Sequence, residues 1–184
     1  RGTINKRAGY SQFGNTLADA NPVMGIMRRI NEATGATQLL VATTVHLYRY
    51  DPGTNTFINV VLPANFTGNI TNFFNFTNWQ ASAGATSYLY MTNNQNNVIT
   101  YDGTAAATLI PVLDGAGETI TKALDVVVYK QRLLLVRPTL SIDGVQNQSI
   151  YWSAVSNPDQ ATGWRTDIAG RGGFLAAPTG DIIQ

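Results

Sequence analysis

The chain holds one histidine, His46, and no cysteine. Disulfides, zinc–thiolate sites and a cysteine nucleophile are therefore excluded. A Ser/His/Asp triad would have to use His46, and one histidine cannot make a metal site without carboxylate help. It falls in a run that reads as a strand, "HLYRYD", with no carboxylate beside it in sequence. The reading that follows is a packed or edge residue. The eleven carboxylates form no D-x-D or E-x-x-H pair, and there is no G-x-S-x-G elbow. "GRGG" (170–173) lacks the Lys-Ser/Thr of a phosphate loop, so its glycines read as turn positions with positive φ. "SNPDQATGW" (156–164) shares a Ser, an Asp, a Gly and a terminal Trp with the Asp-box of sialidase propellers, but not its spacing. A sialidase also needs clustered arginines around a tyrosine nucleophile, and Arg132, Arg137, Arg165 and Arg171 make no such motif. No catalytic residue, metal ligand or cofactor-binding residue is assigned, and the expectation is a protein that is not an enzyme and carries no cofactor.

Composition narrows the class further. Of the 184 residues 44% are hydrophobic, enough for a real core, but only 12% are charged, about half the usual share. Asn, Thr, Gly and Gln fill the gap, as in many β-rich extracellular or virion proteins. The net charge of +1 is far from that of a dedicated nucleic-acid binder. The pairs Lys6-Arg7 and Arg28-Arg29 read as solvated rim charges. Four N-x-S/T triplets, at Asn65, Asn69, Asn75 and Asn147, are close to what 17 asparagines produce by chance. No apolar run approaches the ~18 residues of a membrane span.

The elements that would hold any site follow from a repeat. Tyr50-Asp51, Tyr101-Asp102 and Trp152-Ser153 recur at 101 − 50 = 51 and 152 − 101 = 51 residues, each closing an apolar run. Two places earlier stand Tyr48, Ile99 and Ile150, predicted to share one position on equivalent strands. Around that slot lie three further segments per unit. Ahead come "VMGIMRR" (23–29), "FFNFTNW" (73–79) and "LDVVVYK" (124–130), then "QLLVATT" (38–44), "SYLYMT" (87–92) and "RLLLVR" (132–137). Behind come "TFINVV" (56–61), "ATLIPV" (107–112) and "GWRTDI" (163–168). The segments are short, rich in Val, Ile, Tyr, Phe and Thr, and bounded by Gly, Asn, Asp or Pro. "TLADANPVMG" is the one helix-like stretch, and its Pro and Gly argue against it.

Four strands in about 50 residues is the signature of a β-propeller blade. Leu39–Val41 and Leu133–Leu135 are apolar at successive positions, as a strand covered on both faces must be, whereas a two-layer sandwich would alternate. The expected fold is all-β and propeller-like. It comprises a single domain or fragment over 1–184 with four-stranded antiparallel blades near 23–61, 73–112 and 124–168. A further blade is expected to open at 180–184, "GDIIQ". Three blades fall short of a closed ring, so the stretch reads as part of a larger propeller. Phe73, Phe74, Phe76 and Trp79 could form a stacking platform or belong to the core.

"YRYDPGTNTF" (48–57) resembles the strand–turn–strand of kelch propellers, without their Gly-Gly doublet and paired Tyr/Trp. A second resemblance lies in "KRAGY" (6–10) and in "KQRLLLVRP … SIYWSAVSNPDQATGW … AGRGGFLAAPTGDII" (130–183). Their order is similar to that of β-propeller virion proteins of tailed bacteriophages, of the tail nozzle, tail hub or DNA-stabilising head-to-tail connector type. The resemblance implies a structural protein located in the virion, at the tail or head–tail junction. It also implies packing against copies of itself and neighbouring tail or connector proteins around the DNA channel, without specific nucleic-acid binding and without a membrane span. Near-neutral charge suits a channel through which DNA must slide, since each phosphate contact adds affinity. The alternative is a non-catalytic kelch-like or lectin-like propeller that binds a peptide or glycan through its loops.

Overall fold

The computed structural model describes residues 12–177. These contain fifteen strands and no helix. The "TLADANPVMG" stretch is a turn leading into the first strand. Strands β1 (Val23–Ile30), β2 (Thr37–Thr43), β3 (Leu47–Asp51) and β4 (Thr56–Val60) form one antiparallel sheet in chain order. Strands β5 (Asn75–Gln80), β6 (Ser87–Thr92), β7 (Val98–Tyr101) and β8 (Ala106–Leu109) form a second. After β9 (Ile120–Lys122) come β10 (Asp125–Tyr129), β11 (Arg132–Val136), β12 (Thr139–Leu140), β13 (Gly144–Val145), β14 (Ser149–Trp152) and β15 (Gly173–Ala176). The third sheet runs β10-β11-β14-β15, and a small fourth runs β13-β12-β9. The connection from Pro138 to Gln148 is a hairpin that pairs with the crossover strand β9.

Local sequence sets these hairpins. Asp51 closes the β3–β4 turn: its Oδ1 accepts the Gly53 N–H at 3.0 Å and its Oδ2 the Thr54 hydroxyl at 2.9 Å. Asp102, 51 residues on, accepts the Thr104 and Ala105 N–H groups, both at 2.7 Å. These Asx turns are the physical content of the repeat. The third unit has Ser153 in that slot, and no short turn forms. The expected fourth strand at 163–168 is absent, and β15 supplies it instead. Residues 153–172 become a long loop whose Trp164 is fully buried, its indole donating to the Pro158 carbonyl at 3.1 Å. Gly163 and Gly172 permit this, because a Cβ at either would collide with the backbone of Asn157 or of Trp164. The Trp that resembled a strand residue is a plug in the core.

The three larger sheets stack face to face. One core joins Met27, Leu40, Ala42 and Leu47 of the first sheet to Leu89, Met91, Ile99 and Tyr101 of the second. The other joins Trp79, Tyr90, Val98 and Leu109 of the second to Val126, Leu133, Leu135 and Tyr151 of the third, with Trp164 and Ile120 filling the wedge. The second sheet is covered on both sides, so Leu89–Thr92 are buried at four successive positions, as are Leu40–Thr43 of β2. β11 instead alternates, with Leu133 and Leu135 buried and Leu134 half-buried. The expected two-sided burial therefore holds in the first two units and fails in the third, whose far face is open. The described residues form a propeller-like arc that does not close; the expected blade start at 180–184 lies outside them.

Tyr48, Ile99 and Ile150 do lie on equivalent third strands, pairing with Val41, Met91 and Val136. Their faces differ. Ile99 points back toward the first sheet, and Tyr48 points away from the second, in the same sense. In the third sheet that role falls to Tyr151, one residue later, while Ile150 faces outward.

Polar side chains lock the stack. Asn78 of β5 accepts the Ile30 N–H and donates to the Arg28 carbonyl, both at 2.9 Å. It thereby gives the free edge of β1 the pair of bonds a neighbouring strand would give. Asn75 donates to the Leu124 carbonyl at 3.0 Å, and buried Thr92 to that of Ala123 at 2.6 Å. Arg28 is exposed as expected, but Arg29 is not a rim charge: it is buried between sheets, with Nη2 donating to the Ser87 carbonyl at 2.7 Å.

Leu89→Ala should cost about 2–5 kcal/mol in urea unfolding, while Val127→Ala on the open face should change stability by less than about 0.5 kcal/mol. Asn78→Asp keeps the acceptor but turns a carboxylate on the Arg28 carbonyl. It should cost about 1–2 kcal/mol at pH 7, measured the same way.

Candidate functional site: the two end faces of the stack

A stack of three sheets has two end faces, and the chain treats them differently. The outward face of the first sheet carries Ile26, Leu39, Val41, Tyr48, Tyr50 and Phe57. Residues 12–22 lie across it. Phe13 stacks on Tyr50 at 4.5 Å between centroids and meets Phe57 edge-on at 6.2 Å. Gly14 donates to Asn55 and Phe57 to Asn15. Beneath this strap Val41 and Tyr48 are buried.

Asp19 anchors the strap. Its carboxylate accepts the Thr43 hydroxyl at 2.6 Å and the His46 Nδ1–H at 2.9 Å, and the Asn21 N–H at 3.2 Å. His46 sits in the β2–β3 turn rather than within a strand, and a carboxylate 27 residues earlier reaches its ring. The distance of this pair along the chain hid it from the sequence. Burial alone would raise the Asp19 carboxyl, but the hydrogen bonds from Thr43, His46 and Asn21 outweigh it and hold the group at about 2. Among the described residues no group of three or more His, Cys, Asp or Glu is placed to hold a metal ion.

Among the described residues no segment lies across the outward face of the third sheet. Cross-strand pairing puts Val127, Leu134 and Trp152 in one row, and Val136, Ile150 and Leu175 in the next. Val127 is 40% exposed, Tyr129 58% and Leu175 64%, with Leu134, Val136, Ile150 and Trp152 half-buried. At the β10–β11 end, Tyr129, Lys130, Arg132, Leu134 and Trp152 line a cup of about 180 Å³. Apolar side chains make up most of this face, with Asp125 at one end and Lys130 and Arg132 at the other.

Between the second and third sheets, at the rim, runs a groove of about 380 Å³ lined by Tyr88, Tyr90, Asp102, Asp159 and Gln160 among others. Asp159 belongs to "SNPDQATGW": its Oδ1 accepts the Ala161 and Thr162 N–H groups at 3.0 and 2.9 Å, so the stretch is a capped turn. In "GRGG" only Gly170, with φ +79°, has the expected positive φ; Gly172 and Gly173 instead allow close approach of the Trp164 backbone and the Trp152 ring. Of the arginines, Arg165 pairs with Asp167 at 2.6 Å on the surface, and Arg132 donates to the Ser153 carbonyl at 2.6 Å. The candidate aromatic platform divides: Phe74 and Trp79 are core, while Phe73 and Phe76 are exposed. No helix of the described residues is long and apolar enough to cross a membrane.

The Asp19 carboxyl lies below its unfolded value of 3.8, so the unfolded chain binds the extra proton as pH falls, and the strap loses stability between pH 4 and 2. The wild type should lose about 2 kcal/mol across that window in urea unfolding, and Asp19→Asn should lack this step. Compared with known proteins, the chain matches no family model, no curated protein and no solved structure.

Proposed function

We propose that this chain is a structural virion component of a tailed phage, forming part of a tail nozzle, tail hub or head-to-tail connector. The observation that carries the reading is the exposed apolar end face of the third sheet, in a stack whose other end is crossed by residues 12–22. Such a face belongs to a protein whose work is to pack against more protein. The order of segments over 130–183, which resembles tailed-phage propellers, supplies the setting. The low charge fits it too: interfaces are depleted of charged residues at their cores. In this reading the arc packs against copies of itself or neighbouring tail proteins and acts mechanically.

A second reading, a lectin-like propeller, rests on the rim groove. Tyr88 offers aromatic surface, backed by the buried Tyr90, and Asp102, Asp159 and Gln160 offer acceptors, the combination that suits a polyhydroxylated ligand.

Particle architecture separates the two. Electron microscopy of the purified protein should show ring-shaped assemblies of one rotational symmetry around a channel. A protein that stays monomeric at every concentration and binds immobilised glycans would overturn the structural reading.

A further inference from the structure

The hairpin between β10 and β11 has two central residues, Lys130 and Gln131, with φ of +46° and +58°. A two-residue hairpin with both φ positive is normally made by Asn-Gly or Gly, because a Cβ is strained there. Non-glycine residues persist in such a turn where the surrounding structure holds them. Gln131 has a structural job: its carbonyl accepts the Ser156 N–H at 2.7 Å, and its side chain meets the Ser156 hydroxyl at 3.3 Å. Lys130 has none of that kind. Its ammonium hangs 5.3 Å from the centroid of the Tyr129 ring, at the mouth of the cup formed with Arg132, Leu134 and Trp152. Neither Lys130 nor Arg132 forms an ion pair among the described residues. Asp125, the carboxylate on the same face, lies at the far end of β10.

We infer that this cup is the anchor point of the open face and that it takes an acidic segment of another polypeptide, one placing a large apolar side chain between carboxylates. Trp152 and Leu134 form an apolar floor, and Tyr129 a wall. Lys130 and Arg132 supply two positive charges where the partner's carboxylates would flank the inserted side chain. Arg and aromatic residues in a pocket are the usual composition of an interface hot spot. The inference rests on the reading of the open face as a packing surface and names the chemistry of what packs there.

Trp152 makes the test direct, because Trp79 and Trp164 are buried and only Trp152 is open to a neutral quencher. Acrylamide quenching is followed while the acetylated, amidated peptide Glu-Asp-Leu-Phe-Glu is titrated into the whole chain, with Gln-Asn-Leu-Phe-Gln as the uncharged control. The acidic peptide should protect Trp152, and the control should bind about tenfold more weakly or worse. Lys130→Gln and Arg132→Gln should each weaken binding about two- to fivefold, and 0.5 M salt should weaken it further. Circular dichroism verifies that both variants fold. Equal binding of the two peptides, or a Trp152 signal that neither moves, overturns the inference. So does protection of Trp152 by raising the protein concentration alone, which gives the face to a second copy. Rings without peptide binding would defeat this inference and spare the structural role; binding by a strict monomer would do the reverse.

Discussion

Everything in this arc depends on burying one sheet on both sides. The second sheet presents Leu89, Met91, Ile99 and Tyr101 to one neighbour and Trp79, Tyr90, Val98 and Leu109 to the other. A sheet so placed cannot alternate apolar with polar residues, and it relies on both neighbours to cover its two apolar faces. The first and third sheets each spend one face on it, and what remains of each becomes an end. The strap of residues 12–22 on one end and the bare rows of Val127, Leu134 and Trp152 on the other are consequences of that single demand.

Apolar contact holds sheets together without fixing how they slide. The chain supplies the missing register largely with neutral amides and hydroxyls, beside the buried Arg29 guanidinium on the Ser87 carbonyl and the carboxylates that close the turns. Asn78 and Asn75 bond backbone groups beside the first strands of neighbouring sheets, Thr92 reaches the crossover, and Asp51 and Asp102 close equivalent turns. A neutral donor placed against a carbonyl incurs little desolvation cost compared with a buried charge. The scarcity of charge and the abundance of asparagine in the composition have their structural meaning here.

Much of the fold was legible because strand propensity and Asx-turn chemistry are local. The 51-residue spacing located the third strand of each sheet and the first two blades to within a few residues. The third unit escaped where locality ended. "GWRTDI" has the composition of a strand, but Trp164 goes to the core because two glycines let the backbone cross itself, which only the folded loop reveals. The pairing of Asp19 with His46 joins residues 27 apart, and no pattern marks it. The burial of Arg29 and the open cup around Trp152 depend on which sheet faces which, a fact of topology rather than of any segment.

The one-residue offset of the third sheet has a consequence for modularity. Units one and two place Tyr48 and Ile99 on the same side of their strands, while unit three gives that side to Tyr151. Because side chains alternate along a strand, a unit transplanted at the repeat's nominal 51-residue boundaries would turn its core outward. The blades are related by pattern without being interchangeable parts. Exchanging the third unit with either of the others keeps the core residues inward only if the joints carry the one-residue slip along, which ties the order of the blades to the identity of each.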